Sequence, residues 1–283
     1  MLTTPLVRYD DRIALKLECL QPIGSFKLRG ALNAVRSGPP EDLVTASAGN
    51  MAQGVAWAAR EAGVRARIVA PEHAPRAKLD RVEELGGEVL LVPHEVWWQT
   101  MVDRGHPDVQ GRFIHPVEDE QVMAGNGTIG LELVEQGDFE TVVVPWGGGG
   151  LTSGIASAVK ALRPEVRIVT AEPETAAPLA ASLAAGEPLE IDYRPSFVDG
   201  AGGRAILPTM WPRAQALVDE AVVVPLADVE GAVRLLATRA RVVAEGAGAL
   251  ALAVALHRDD RCVCIVSGGN IDRDVFAEIL AAN

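Results

Sequence analysis

The chain is poor in several things that would have marked its function. Aromatic residues are only 4% of the 283, which leaves few platforms on which bases could stack. Lys and Arg number 26 against 38 Asp and Glu, a net charge of −12, so a nucleic-acid backbone or an anionic membrane surface meets a repelling field. No nucleic-acid partner is expected. No apolar run approaches the ~20 residues of a membrane span, and the N-terminus lacks a basic stretch followed by an apolar one. The expectation is a cytoplasmic protein with no membrane partner. The three cysteines, Cys19, Cys262 and Cys264, are odd in number, and the last two alternate along one apolar run, which argues against a disulfide framework. The five histidines (His73, His94, His106, His115 and His257) are scattered, with no pair at ligand spacing and no Cys-x-x-Cys, so no metal is expected.

What the chain has in abundance is apolar residues (48%) and glycine (28 residues), enough for a large core with frequent reversals. Short β-rich runs at 14–18, 44–48, 65–70, 88–92, 141–144, 167–171, 221–224 and 262–266 alternate with helical patterns at 51–61, 77–85, 151–162, 229–241 and 247–257. Such alternation predicts an α/β architecture of doubly wound parallel sheets, whose ligands sit beyond the carboxyl ends of the strands. Gly38-Pro39-Pro40 and Gly125-Asn126-Gly127 read as the two best breaks, with an inserted segment between them.

Four strand-to-helix turns carry chemistry. Thr141 to Pro145 and Trp146 lead into Gly147, Gly148, Gly149 and Gly150, followed by Leu151 and a helical pattern. Such a loop turns several N–H groups onto one anion at a helix N-terminus, and its spacing is neither a dinucleotide fingerprint nor a Walker loop. A phosphate is the preferred reading, a tight turn the alternative. Lys27, after the apolar Phe26 in Ser25-Phe26-Lys27-Leu28-Arg29-Gly30, stands at the mouth of a helix, where desolvation lowers an amine toward nucleophilicity. Ser47, Ala48, Gly49 and Asn50 form a small, polar turn whose following helix suits a carboxylate, or else a plain N-cap. Ser267-Gly268-Gly269 follows the last apolar run and, taken alone, is a turn.

Together and in this order, the four elements resemble the fold type II (tryptophan synthase β-like) pyridoxal-phosphate enzymes, closest to the threonine/serine dehydratases. The resemblance runs over the whole chain, through Glu172-Pro173, Asp199-Gly200 and Glu245-Gly246-Ala247-Gly248 as well. It implies two doubly wound domains with pyridoxal 5'-phosphate in the cleft between them: a large domain of residues 1–40 and 123–283, and a small inserted one of 41–122. It implies that Lys27 carries the cofactor and is the catalytic base, beside Phe26. Asn50 would reach the cofactor's hydroxyl, the 147–150 glycines with Leu151 its phosphate, and Ser267 its ring nitrogen. Ser47, Ala48, Gly49 and Asn50 would bind the substrate carboxylate. The implied reaction is β-elimination of a small hydroxy amino acid such as L-threonine or L-serine to a 2-oxo acid and ammonia, by a homodimer.

There are departures. Met51 stands where the family has a histidine, Trp146 is bulky beside the glycine loop, and no carboxylate occurs from 193 to 198 ahead of Asp199, where relatives hold a cation. The chain starts at the Thr-Pro-Leu segment and ends soon after Ser267, so neither an extra N-terminal helix nor a C-terminal sensing domain is expected. Three other readings stay open: an amino-acid racemase, a sulfide-using β-replacement enzyme, whose Ser-Val-Lys-Asp-Arg type of lysine motif is absent here, and a catalytically silent ligand-binding relative. In serine racemases of the family, the position matching Ala48 is a serine.

Overall fold

The computed structural model describes residues 1–282. Its strands are β1 (Leu6–Arg8), β2 (Ile13–Lys16), β3 (Leu43–Ala46), β4 (Ala66–Pro71), β5 (Gly87–Val92), β6 (Arg112–Phe113), β7 (Thr141–Pro145), β8 (Arg167–Pro173), β9 (Glu220–Val224) and β10 (Cys262–Ile265). The helices are α1 (Lys27–Arg36), α2 (Asn50–Ala62), α3 (Arg76–Glu84), α4 (His94–Asp103), α5 (Glu120–Gln136), α6 (Gly150–Leu162), α7 (Pro178–Ala185), α8 (Trp211–Leu217), α9 (Leu226–Leu235), α10 (Gly246–Ala255) and α11 (Arg273–Ala281). The chain divides into two units, one of Phe26–Asn126 with Met1, the other of Leu2–Ser25 and the chain from Gly127 onward. The first therefore takes in α1 and the start of α5 along with the 41–122 segment.

The first unit holds a four-stranded, wholly parallel sheet in the order β5-β4-β3-β6. β3 is buried throughout, as expected for an inner strand of a covered parallel sheet, whereas the edge strand β5 leaves Leu90 and Leu91 exposed. The core against β3 and β4 is Val44, Ala46, Val69 and Val92, packed by Trp97 and Met101 of α4 and by Val109 and Phe113.

The second unit holds six strands in the order β1-β2-β10-β7-β8-β9; all pair in parallel except β1, which returns antiparallel on β2. Its central helix is α10, Gly246-Ala-Gly-Ala-Leu-Ala-Leu-Ala-Val-Ala255, of which every residue is buried. Apolar all round, it has no face to offer water and so becomes the core itself. The parallel-sheet α/β fold expected from the alternation is present in both units.

Several boundaries differ. Glu18 lies in a short 3-10 turn after β2, and the expected 229–241 helix starts earlier and passes into a π-helical segment, Leu236–Ala240, closed by Arg241 in the left-handed region at φ 61°. Gly125-Asn126-Gly127, expected as the second break, is where the two units divide, between Asn126 and Gly127, but the chain passes from one to the other inside the continuous helix α5 and not through a turn. A Cβ on Gly125 would lie 2.5 Å from the Arg29 carbonyl oxygen of α1, and one on Gly127 3.1 Å from that of Gly154 in α6. The glycines there serve close helix packing, a need that looks the same as a turn when read locally.

Candidate active site

In the first unit, β3 ends at the buried Ala46, and Ser47, Ala48, Gly49 and Asn50 follow half-buried before α2 runs on. The Ser47 N–H is tied to the Val69 carbonyl of β4, and Ser47 Oγ accepts the N–H of Gly49 at 3.2 Å. No side chain caps α2 from the Gly49 position, and a Cβ on Gly49 would meet nothing within 4 Å. Met51, in place of the family's histidine, is 2% exposed and packs inward.

Lys27 opens α1 on the same unit. Its backbone lies against α2, where a Cβ on Gly54 would come 3.1 Å from the Lys27 carbonyl oxygen; Gly54 is one turn on from Asn50. The Lys27 Nζ lies 5.3 Å from the centre of the Phe26 ring and donates to the Pro116 carbonyl at 2.8 Å. Burial pushes the amine down to about 8, because the charged form loses its hydration there.

In the second unit, β7 and β10 are neighbours running parallel, so their carboxyl ends present the glycine loop and Ser267 on one edge of one sheet. Gly149 has φ 93°, a left-handed conformation, and a Cβ there would lie 2.6 Å from the ring of Trp146. Trp146 is 1% exposed, lies beneath the loop, and its indole N–H has no hydrogen-bond partner. The Trp146 carbonyl accepts the N–H of Gly202 at 2.6 Å, so the 200–202 segment backs the loop from the other side. Leu151, in the first turn of α6, is 7% exposed.

A phosphate-bearing cofactor fits this arrangement on two counts. Among the described residues, the N–H groups of Gly147, Gly148 and Gly149 donate to nothing in the protein, at the start of an uncapped helix. The hydroxyl of Ser267, a residue only 3% exposed, likewise has no partner in the protein. Its backbone neighbour Gly268 leaves room for the Glu245 carboxylate, which accepts the N–H of Asn270 at 3.1 Å. Among the described residues, no cluster of His, Cys, Asp or Glu is arranged to hold a metal ion.

Sequence reasoning missed the His115–Pro116 turn, having weighed His115 only as a metal ligand. The available signal was a His-Pro pair closing a short strand and followed by Asp119, whose side chain caps the entry to α5.

A parallel α/β fold with a desolvated lysine and, at Gly147 to Gly149, backbone N–H groups without a partner in the protein is the architecture of an α/β protein that binds an anionic ligand at its strand ends. The family model for the pyridoxal-phosphate-dependent enzymes matches residues 2–268. The chain is 39% identical over 280 residues to the L-threonine ammonia-lyase of Thermotoga maritima, covering 95% of this chain and 69% of that protein. It is 35% identical over 286 residues to the serine racemase of rice (Oryza sativa), covering 95% and 84%. Its fold superposes on the processed form of threonine deaminase isoform 2 from Solanum lycopersicum with a TM-score of 0.87 at 30% identity, over 100% of this chain and 89% of that one. The chain belongs to the pyridoxal-phosphate-dependent enzyme family, and its cofactor is pyridoxal phosphate.

Proposed function

We propose that the protein is an ammonia-lyase that converts a small β-hydroxy amino acid, of the L-threonine or L-serine kind, to a 2-oxo acid and ammonia. The observation that carries this reading is Lys27, an amine held at a helix mouth with its basicity lowered to about 8 by burial, within Ser25-Phe26-Lys27-Leu28-Arg29-Gly30. The likeness to an L-threonine ammonia-lyase and a threonine deaminase supports the substrate class.

When bound, the cofactor supplies a conjugated ring that takes up the electrons left on Cα after its proton departs. Lys27 is the base: an amine that titrates near 8 carries, near neutral pH, a neutral fraction on the order of a hundredfold larger than that of an ordinary lysine, and that neutral form accepts the Cα proton. The N-terminus of α2, with Ser47, Gly49 and Asn50 around it, receives the substrate carboxylate. The N–H groups of Gly147, Gly148 and Gly149 hold the phosphate, with Gly150 and Leu151 opening the helix behind them. The Ser267 hydroxyl, buried and without a partner in the protein, would meet the ring nitrogen; being neutral, it would not keep that nitrogen protonated as a carboxylate would, which would favour loss of the β-substituent. The enamine released becomes the 2-oxo acid and ammonia in water.

The rice serine racemase favours a second reading, racemisation. Racemisation needs a proton donor on the face of Cα opposite Lys27, and Ala48, at the position matching the serine of the family's serine racemases, has only a methyl group to offer. A cytoplasmic homodimer acting on small molecules, with neither nucleic acid nor membrane as partner, completes the proposal. The net charge of −12 supports it, as does the lack, among the described residues, of a helix long and apolar enough to cross a membrane.

Borohydride reduction of the purified protein followed by peptide mapping should place the cofactor adduct on Lys27, and an adduct on another lysine overturns the site. L-Serine incubated with the enzyme should give pyruvate with little D-serine by chiral chromatography. D-Serine forming as fast as pyruvate overturns the lyase.

A further inference from the structure

We propose that His115 is a positioning residue for the Lys27 amine: its imidazole gathers the turn at Pro116 and so holds that residue's carbonyl as the hydrogen-bond acceptor of Nζ. The inference rests on the reading of Lys27 as the reactive amine, and it is built from contacts inside one unit.

The 114–119 segment is anchored at both ends. Upstream, the Ile114 N–H donates to the Val44 carbonyl at 2.7 Å and the Ile114 carbonyl accepts from Thr45 Oγ1 at 2.8 Å, which ties it to β3. Downstream, Asp119 Oδ1 accepts the N–H groups of Gln121 and Val122 at 2.8 and 3.1 Å, which fixes the start of α5. Between the anchors lies Pro116, whose nitrogen has no hydrogen to give. The bend is gathered by one side chain: His115 Nδ1 accepts the N–H of Val117 at 3.1 Å and of Glu118 at 2.8 Å.

That geometry settles the state of the ring. An Nδ1 that accepts two hydrogens carries its lone pair, so the ring proton sits on Nε2, which lies 3.4 Å from Glu118 Oε2. The ring is 3% exposed, and burial pushes it down to about 4, so it stays neutral; the charges facing it are Glu118 and Asp119, which favour its protonation, and Arg104 and Lys27, which oppose it. Arg104 lies 3.4 Å from the same Glu118 oxygen and holds a left-handed backbone at φ 53°, the C-cap of α4. With the bend fixed, the Pro116 carbonyl stands 2.8 Å from Nζ. A carbonyl accepts and never donates, so a hydrogen of Nζ turns toward it and the lone pair of the neutral amine turns away.

The test compares His115→Phe, which keeps a ring but has no acceptor, with His115→Asn, whose Oδ1 sits as many bonds from Cα as Nδ1 and caps turns of this kind. Lys27 is one of four lysines, so its titration is readable in the full chain before cofactor is added, by trace acetylation across a pH series with peptide quantification by mass spectrometry. Lys27 should titrate near 8 in the parent and in His115→Asn, and roughly one pH unit lower in His115→Phe, where the buried ammonium has lost the Pro116 acceptor. An unchanged titration in a folded His115→Phe, a rise toward the ordinary lysine value as water enters, or an Asn variant that behaves like Phe would each overturn the proposal. If His115→Phe does not fold, nitrogen-15 NMR of the parent ring decides: an unprotonated Nδ1 between pH 6 and 9 is expected, and a proton on Nδ1 is fatal. Borohydride mapping separates the two ideas, since an adduct away from Lys27 sinks the cofactor site while leaving this titration to be read on its own.

Discussion

The helices α2 and α6 are each 13 residues long, follow an inner parallel strand, start after a glycine and lack a side-chain cap, yet their glycines answer different needs. Gly149 sits at φ 93° with the Trp146 ring where its Cβ would be, so the protein itself demands glycine. Gly49 has a negative φ of −119° and open space within 4 Å, so no neighbouring atom demands it. The contrast separates a glycine kept by the fold from one that leaves room for something arriving from outside. The Gly147 to Gly150 turn is closed against the buried indole of Trp146; the Ser47 to Asn50 turn leaves open space at Gly49.

The largest effect that bears on this contrast is expected from Gly149→Ala. A left-handed alanine costs about 1–2 kcal/mol, and displacing the Trp146 ring costs about 1–3 kcal/mol more. Calorimetry should show a clear fall in melting temperature together with lost cofactor. A variant that melts as the parent does would mean that the loop relaxes freely and is not closed against the indole. Gly49→Ala is expected to shift stability by no more than about 1 kcal/mol, the worth of a helix-cap change, while raising KM for the amino acid by on the order of tenfold as the methyl group fills the open corner. Should stability fall sharply with KM unmoved, the space at Gly49 has nothing to do with substrate. The smallest effect belongs to Trp146→Phe. It removes a buried N–H that has no partner, which is worth about 1–3 kcal/mol in favour, against a similar loss of packed ring, leaving a net change under about 1 kcal/mol. Its use is in the double variant: with the outer ring gone, Gly149→Ala should recover its steric part but keep its backbone part, and a cycle that shows no coupling would deny the contact between Trp146 and Gly149.

Much of the site was legible in the sequence because its parts are local. A strand followed by small residues and a helical pattern is a neighbourhood of about ten positions, and Ser47 to Asn50, the four glycines and Ser267 all stand at such turns in the structure, each past the carboxyl end of a parallel strand. At Gly125-Asn126-Gly127 the same local reasoning met the division between the units but not its form, a continuous helix, since a glycine that admits a neighbouring helix and a glycine that bends the chain leave the same mark in the sequence. At His115 the local His-Pro signal marks only a turn; that the turn meets Lys27 is a relation between positions 27 and 116, 89 residues apart, which no local pattern carries.

By itself, then, the sequence determined the alternation that makes two parallel sheets, the strand-end turns that present backbone N–H groups, and the lysine at a helix mouth, because periodicity, turn chemistry and helix-end polarity act over a few residues. Only the tertiary structure decided which strands are neighbours, that Gly149 is held to glycine by Trp146, and that the Lys27 amine is desolvated against the carbonyl of Pro116. Burial and hydrogen-bond partnership arise from segments distant in the chain, and no local pattern carries them.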